Sequence, residues 1–171
     1  MTHIVLLVVL FGINALLLLL AVYILLGSWS GAPFVPTTKK NIERMIALAA
    51  IHPGEICMDL GSGGGGIVFA AANAGAESIG IEINPFLYWW SSARAKFGRY
   101  TRVFFFRKNL WTVDVSHVDV LTIFFISNKM PRLQEKLRKE MKPGARVVSH
   151  VFTFPDWPYE KKDGTVYIYR V

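Results

Sequence analysis

The chain of 171 residues divides into two parts by its pattern of apolar and polar positions. Residues 4–26 are apolar apart from Asn14, and every Lys, Arg, Asp and Glu lies at or after Lys39. A helix over 4–26 would be roughly 35 Å long at ~1.5 Å per residue, enough to cross a bilayer. The pattern therefore predicts a transmembrane anchor over residues 1–27 and a single domain over residues 39–171.

Two other interpretations of the apolar segment are a cleaved signal peptide and a buried helix. A signal peptide usually has a cationic start and an apolar region of about 7–15 residues, which this segment does not match. The nearest cations, Lys39, Lys40 and Arg44, follow the span and none precedes it. The positive-inside rule then predicts an outside N-terminus and a domain on the cytoplasmic or matrix-like face. Residues 28–38 contain two prolines and are predicted to form a linker.

Apolar runs and amphipathic stretches alternate through the rest of the chain. The stretch that begins after Thr38 predicts a first helix, ended by Pro53-Gly54. Strands are predicted at 55–60, 78–83, 102–106, 118–125, 146–151 and 164–171, and further helices at 67–74, at 85–97 and in a stretch that ends before Pro143-Gly144. This alternation predicts a Rossmann-like, doubly wound α/β fold with a mostly parallel sheet. A ligand would then bind at the carboxyl ends of the strands.

The clearest chemical signal is a glycine-rich run at the end of the first predicted strand. It reads Asp59-Leu-Gly-Ser-Gly63 followed by three more glycines, and Glu82 ends the next strand. Glycines let a ligand approach the backbone, and an acidic residue about 20 positions on can bind ribose hydroxyls. A dinucleotide, S-adenosylmethionine or an empty glycine turn all fit the glycines. Asp59 favours S-adenosylmethionine, because a carboxylate repels a pyrophosphate and attracts a sulfonium and an ammonium.

Other chemistries have weaker support. Cys57 is the single cysteine, and the four histidines have no metal-ligand spacing, so no metal site is predicted. The net charge of +7 fits nucleic-acid binding. However, the cations are spread over several predicted helices, which makes a nucleic-acid partner less favoured. Lys39, Lys40 and Arg44 also suit anionic lipid headgroups, which favours the bilayer as a partner.

In order, the chain carries Ala-Pro-Phe-Val-Pro-Thr (32–37), Asp-Leu-Gly-Ser-Gly (59–63), Gly-Ile-Glu-Ile-Asn-Pro (80–85), Asn-Leu-Trp (109–111) with Asp114, and Lys-Pro-Gly-Ala-Arg-Val-Val-Ser (142–149). This ordered set resembles the membrane-anchored, seven-β-strand protein-lysine methyltransferases. The mitochondrial enzymes that methylate the ATP synthase c-subunit and the adenine nucleotide translocase belong to that family, which has prokaryotic members. The resemblance covers residues 31–157 and implies a class I methyltransferase fold.

The resemblance also implies roles for particular residues. Asp59 and the loop residues Gly61, Ser62, Gly63 and Gly65 would hold the methionine part of S-adenosylmethionine, Glu82 the ribose, Asn109 and Leu110 the adenine, and Pro36 and Thr37 would form a lid. One motif departs from the family pattern, in which Asp-Gly-Arg follows Gly63. Here Gly64-Gly65-Gly66 replaces it, and the change is expected to add backbone freedom and to weaken cofactor binding or abolish catalysis.

Methylation of a lysine requires its neutral amine, and a desolvated aromatic channel lowers the pKa of that amine. The candidate substrate-channel residues are Phe34, Trp111, Phe125, Ser127, Asn128 and Trp157, and each aromatic also suits a core position. No general base is predicted. The sequence thus predicts a lysine methyltransferase acting on a membrane or membrane-associated protein. The alternatives are a methyltransferase acting on a lipid or small molecule, and a tethered binding module without activity.

Overall fold

The computed structural model describes residues 2–30 and 35–171, and describes side chains over residues 3–19 and 35–171. The chain divides into two compact units, Met1–Val35 and Pro36–Val171. The first unit contains helix α1, Thr2–Ser30. The second contains all of the strands of the described residues, and with them the predicted site residues other than Phe34.

The finding for α1 corrects the expectation from the sequence. Within the described residues, no helix combines the length and the apolar character that a membrane crossing requires. For the described residues, the predicted transmembrane helix and the single-pass localisation are therefore wrong, and a bilayer partner through residues 4–26 has no support.

The second unit is built on one seven-stranded sheet with the order β3-β2-β1-β4-β5-β7-β6. The strands are β1 (Ile56–Leu60), β2 (Glu77–Glu82), β3 (Val103–Arg107), β4 (Val120–Ile123), β5 (Arg146–His150), β6 (Lys161–Asp163) and β7 (Val166–Arg170). The first five are parallel, and β7 pairs antiparallel with both β5 and β6. Because the strand order reverses between β1 and β4, their carboxyl ends form the switch point where this architecture binds ligands.

Four helices pack around this sheet: α2 (Lys39–Ala49), α3 (Gly66–Asn73), α4 (Pro85–Phe97) and α5 (Met130–Glu140). Side-chain caps begin two of them. Thr38 Oγ1 accepts a hydrogen bond from the Asn41 amide, and Asn84 Oδ1 accepts bonds from the Phe86 and Leu87 amides. Each cap satisfies backbone donors that the first turn of a helix leaves free. In α4 the cap also fixes the direction in which the chain leaves β2.

The predicted α/β fold with a mostly parallel sheet is confirmed, and six of its seven strands were predicted. The missing strand is β6, whose three residues are all exposed and polar, so it carries no apolar pattern. The turn that joins β6 to β7 does have a sequence signal. Asp163 pairs with Val166, so Gly164 and Thr165 form a two-residue hairpin loop, and Gly164, at φ 58°, is a typical residue for its first position.

A buried arginine at the start of β5 ties the sheet to α2. Arg146 Nη1 donates to the carbonyls of Ala49 and Ala50 at the C-terminal end of α2, at 2.7 Å each. Its other terminal nitrogen forms an ion pair with the Glu55 carboxylate. The Arg146 side chain is 9% exposed, so removing it would leave two carbonyls and a carboxylate without their partner.

We therefore expect Arg146→Gln to lower the free energy of unfolding by about 3 kcal/mol, because one partner of a buried ion pair is lost. Arg170→Gln is the matched control. Its ion pair with Glu160 is 49% and 43% exposed, and its loss should cost less than about 1 kcal/mol. Urea unfolding of both variants measures the difference, and equal costs would contradict the assigned role of Arg146.

Candidate active site

A buried carboxyl group lies at the carboxyl end of β1. Asp59 is 3% exposed, and its Oδ1 accepts a hydrogen bond of 2.7 Å from the Thr122 hydroxyl on β4. Burial raises the pKa of Asp59 to about 7, the Thr122 hydrogen bond opposes that rise, and the nearby Glu82 carboxylate adds to it. The site thus holds a carboxyl group that takes up or releases a proton near neutral pH.

The glycine loop after β1 is held against β2 by its backbone. The amides of Gly61 and Ser62 both donate to the carbonyl of Ile81, at 2.8 and 2.9 Å. Gly61, Gly63 and Gly65 have φ values of 80°, 52° and 82°, which side-chain-bearing residues rarely adopt. These conformations turn the chain from β1 into α3 within five residues. Three of the five glycines in residues 61–66 are therefore required by the backbone conformation itself.

Glu82 joins the glycine loop after β1 to the loop between β2 and α4. It is 7% exposed, and its carboxylate oxygens accept one hydrogen bond each, from the Gly63 amide (Oε2) and from the Asn84 amide (Oε1), both at 2.8 Å. Each carboxylate oxygen can accept a second bond. Glu82 can therefore hold the glycine loop and bind hydroxyl groups of a ligand at the same time.

The structure shows how the loop is held where it departs from the family pattern. Arg94 of α4 donates from Nη1 to the Gly64 carbonyl at 2.6 Å, and its guanidinium carbon lies 4.6 Å from the centre of the Phe69 ring. A Cβ at Gly65 would lie 2.7 Å from Phe105 and 2.9 Å from Phe69, so a larger residue would force these rings to move. Arg94 therefore restricts the backbone freedom expected of three consecutive glycines.

Three observations test whether the carboxyl ends of β1 and β2 suit S-adenosylmethionine. A Cβ built on Gly61 meets no atom within 4 Å, so the loop is open to a ligand on that side. Ser62 Oγ is buried without a hydrogen-bond partner among the described residues. The two carboxyl groups, Asp59 and Glu82, match the ammonium and the ribose hydroxyls of that cofactor. The residues at this edge therefore fit S-adenosylmethionine.

The residues predicted to meet the adenine follow β3, next to Glu82. The Lys108 amide donates to the Glu82 carbonyl at 3.2 Å, which brings the end of β3 to the site. Asn109 Oδ1 accepts from the Trp111 amide at 3.1 Å and so begins a short 3-10 turn, Leu110–Thr112. The side-chain oxygen of Asn109 thus shapes the turn, and its amide NH₂ group stays available as a donor.

Two of the predicted channel aromatics meet beside the end of β4. The rings of Trp111 and Phe125 lie edge to face with their centres 6.0 Å apart. The guanidinium carbon of Arg132 lies 4.2 Å from the centre of the Trp111 ring. Ser127 and Asn128 are exposed in the 3-10 turn Ser127–Lys129 that follows. The structure thus gathers two rings, a cation and two small polar residues at one place.

Two other predicted channel residues have different positions. Trp157 is 5% exposed, packs on Phe154 and donates from Nε1 to the Arg170 carbonyl at 3.0 Å. Arg170 pairs with Arg146, the first residue of β5. Trp157 therefore lies near the amino-terminal ends of the parallel strands, whereas Asp59 lies at their carboxyl ends. Phe34 lies outside the described residues.

The predicted lid residues, Pro36 and Thr37, stand just before Thr38, the N-cap of α2. Pro36 is exposed and Thr37 is half-buried. A Cβ built on Gly66 would lie 3.0 Å from Ile42 Cδ1, so the first turns of α2 and α3 are neighbours. The entry to α2 is therefore on the glycine-loop side of the domain, as a lid would require.

Sequence reasoning missed two residues that shape the site. Thr122 had a usable signal, because it is the one polar residue in the apolar run Val120–Ile123. Arg94 had none, since a single cation on a helix is ordinary and its partner, the Gly64 carbonyl, is 30 positions away.

Comparison with known proteins agrees with this geometry. Residues 59–161 match the family model described as the ANTKMT methyltransferase domain. The chain is 38% identical over 133 residues to the ATP synthase c-subunit lysine N-methyltransferase of Rattus norvegicus, covering 77% of this chain and 61% of the relative. It is also 38% identical to a protein-lysine N-methyltransferase of Saccharolobus islandicus, covering 81% of this chain and 93% of the relative.

A solved structure supports the same fold. The crystal structure of an RNA methyltransferase from Salinibacter ruber, in complex with S-adenosyl-L-homocysteine, superposes with a TM-score of 0.77 at 34% identity. The match covers 80% of this chain and 93% of that chain. Sheet order, glycine loop and this likeness together define a class I methyltransferase-like domain.

The chain belongs to the ANTKMT methyltransferase-domain family. The predicted family is thus confirmed, although its membrane-anchored character is not supported by the described residues. The chain spans about three fifths of the length of the rat relative. The match to the family model covers residues 59–161, which include Asp59, the glycine loop and Glu82.

The first site prediction concerns Gly65. Gly65→Ala places a Cβ against Phe105 and Phe69 and forces alanine to adopt a φ of 82°. We expect a loss of unfolding free energy of about 1–3 kcal/mol. Gly64→Ala is the control, because its Cβ would meet only Trp90 Cδ1, at 3.9 Å. Thermal or urea unfolding should separate the two variants, and a fully stable Gly65→Ala would contradict the described packing.

The stability of the domain should also depend on pH through Asp59. Since the folded pKa is about 7 and an unfolded Asp titrates near 3.9, the folded state binds the proton more tightly. This contribution to stability is complete below pH ~4 and is lost as the pH rises through about 7. Between pH 5 and pH 8, Asp59→Asn should therefore gain about 2–3 kcal/mol relative to the wild type. A difference in unfolding free energy that does not change with pH would contradict the prediction.

Proposed function

We propose that this chain is an S-adenosylmethionine-dependent methyltransferase whose acceptor is the side-chain amine of a lysine in a protein. The observation that carries the proposal is the pair of buried carboxyl groups, Asp59 and Glu82, joined by the glycine loop at the switch point of the sheet. This donor set suits a ligand with a cationic end and a ribose. Relatives at 38% identity that are named lysine N-methyltransferases support the acceptor class.

Each group at the site has a task in this function. Asp59 and the Gly61–Gly63 backbone would hold the methionine end of the cofactor, Glu82 its ribose, and Asn109 with Leu110 its adenine. When bound, S-adenosylmethionine supplies an electrophilic methyl group. Positioning and exclusion of water account for much of the rate in such transfers. These are the tasks that a fixed loop and a partly buried edge can perform.

The acceptor side favours a neutral amine. Trp111 and Phe125 provide apolar ring surface, which lowers the pKa of an amine by desolvation. The guanidinium of Arg132 over Trp111 lowers it further, because a nearby cation opposes a second positive charge. A lysine lying against Trp111, beside Arg132, would lose its proton to solvent more readily than a free lysine. No side chain acting as a general base is needed for this step.

RNA is the second candidate acceptor, since the solved structure at 34% identity is named an RNA methyltransferase. The two candidates differ in the group that receives the methyl. A methylated lysine is released by protease treatment of the product, whereas methylated RNA is degraded by nuclease. The experiment below therefore includes both acceptors.

The test begins with calorimetric titration of the purified chain with S-adenosylmethionine and S-adenosylhomocysteine. We expect micromolar binding, weakened at least about tenfold in Glu82→Gln because a hydrogen-bonded charge is removed. Glu77→Gln, at the other end of β2, is the matched control and should bind normally. A well-folded wild type that binds neither ligand would refute the proposal.

The second stage uses cofactor with a labelled methyl group on pools of protein and of RNA. Label that survives nuclease, is released by protease and is found as methyllysine after hydrolysis would support the lysine acceptor. Label that is sensitive only to nuclease would establish RNA as the acceptor and refute the lysine proposal. Cofactor binding without label in either pool would favour a binding module without activity.

A further inference from the structure

Helix α4 has an aromatic face that is turned toward solvent. Phe86, Trp89, Trp90 and Phe97 are 68%, 75%, 56% and 84% exposed, and their spacing places them on one side of the helix. The buried side of α4, formed by Leu87, Ser91 and Ala95, faces the sheet. A surface helix normally has a polar outer face, and exposed apolar patches of this kind mark interaction sites.

The charges of the same region all have one sign. Residues 83–113 contain six cations and no Asp or Glu. The cations are Arg94, Lys96, Arg99, Arg102, Arg107 and Lys108. A second copy of this chain would bring its own cations to the same surface, so charge repulsion argues against self-association. The surface calls for an anionic partner.

Strand β3 continues the aromatic surface onto the other face of the sheet. Val103 and Phe105 pack with Phe69 in the core beneath α4, so the alternating Phe104 and Phe106 point to the opposite face. These two rings are 42% and 44% exposed. Lys108 Nζ lies 5.7 Å from the centre of the Phe106 ring. Aromatic rings with cations beside them therefore occur on both faces of this edge of the sheet.

We propose that this surface, the α4–β3 edge (residues 86–108), binds single-stranded RNA. A flat lipid surface could contact only one face of the edge at a time. A flexible strand can follow it from the outer side of α4 across to Phe104 and Phe106. Exposed rings supply stacking platforms for bases, and exposed cations supply sites for phosphates. The combination is typical of proteins that bind single strands without reading their sequence.

From the sequence, a nucleic-acid partner is disfavoured because the cations are spread over several predicted helices. In the fold, α4, the following turn and β3 place six of the nineteen Lys and Arg residues along one edge of the sheet. The inference concerns binding, and it holds whichever group accepts the methyl. It can therefore fail while the proposed function stands, and the reverse is also true.

The test is fluorescence anisotropy of the full chain with labelled oligouridine of about twelve nucleotides. Trp89→Ser with Phe97→Ser removes two rings that are at least three-quarters exposed, so the fold should be unaffected. We expect RNA affinity to fall at least about tenfold, because each stacked base contributes through its ring. Trp90 is left intact, since it lies near Gly64 and the site.

A second pair of variants tests the phosphate contacts. Arg99→Gln with Arg102→Gln should weaken binding and reduce the slope of log affinity against log salt by about 1.4, or ~0.7 for each cation. The matched controls are Tyr159→Ser, an exposed aromatic at the other edge of the sheet, and Lys139→Gln with Lys161→Gln, exposed cations elsewhere. All of the controls should bind RNA as the wild type does.

Several outcomes would overturn the inference. One is the absence of RNA binding by a folded wild type at about 100 µM. Another is equal weakening by the control pair of lysines, which would reveal a general effect of charge. A third would be a variant without Trp89 and Phe97 that still binds RNA but no longer binds anionic phospholipid vesicles or polyglutamate.

Duplex RNA should bind more weakly than the single strand, since its bases are already stacked. Calorimetric affinity for S-adenosylmethionine should be unchanged in every variant, which separates this test from that of the proposed function.

Discussion

Glu82 is the residue on which the arrangement of the site depends. Its two carboxylate oxygens accept the amides of Gly63 and Asn84, so one side chain fixes the loop after β1 and the start of α4 together. Hydrogen bonds to a charged acceptor contribute about 1.5–3 kcal/mol, roughly twice a neutral bond. Because Asn84 in turn caps α4, the position of that helix and of Arg94 follows from the same carboxylate. Arg94 then returns to the Gly64 carbonyl, so the loop is held from both sides.

A second buried carboxyl group close to Glu82 makes this site costly to fold. Burial raises the pKa of Asp59, the hydrogen bond from the Thr122 side chain opposes that rise, and the Glu82 charge adds to it. A raised pKa in a cleft indicates a group whose environment suits a ligand better than water. A cationic ligand would supply the charge that Asp59 lacks among its described neighbours. The folded domain thus holds an unfavourable interaction that binding can relieve.

Most of the fold could be predicted, because strands β1 to β5 are apolar runs between turn residues and helices. The apolar pattern led to a wrong prediction at two places, strand β6 and the segment 4–26. β6 consists of three exposed polar residues and pairs only with β7, so no apolar period marks it. The apolar segment 4–26 has the composition of an anchor, and the described residues of α1 do not support that prediction. Composition shows what a segment could do in a membrane, and does not by itself place it there.

The candidate site was predictable in the part that depends on backbone conformation. Gly61 and Gly63 require positive φ, and Glu82 must end β2, so the sequence signal and the geometry have the same cause. Trp157 illustrates the opposite case. An aromatic residue suits a channel and a core equally, and its packing on Phe154 and Tyr169 became visible only in three dimensions.

The α4–β3 edge also exposes the domain to association with other chains. β3 is the outer strand of the sheet, and an exposed strand edge invites pairing with another chain. Arg102, Arg107 and Lys108 at its ends are the kind of charges that discourage such pairing. That purpose explains the cations but not the rings, since Trp89 and Phe97 on α4 increase the risk of association. Aromatic residues kept in water beside exposed cations are explained better by a partner that uses both.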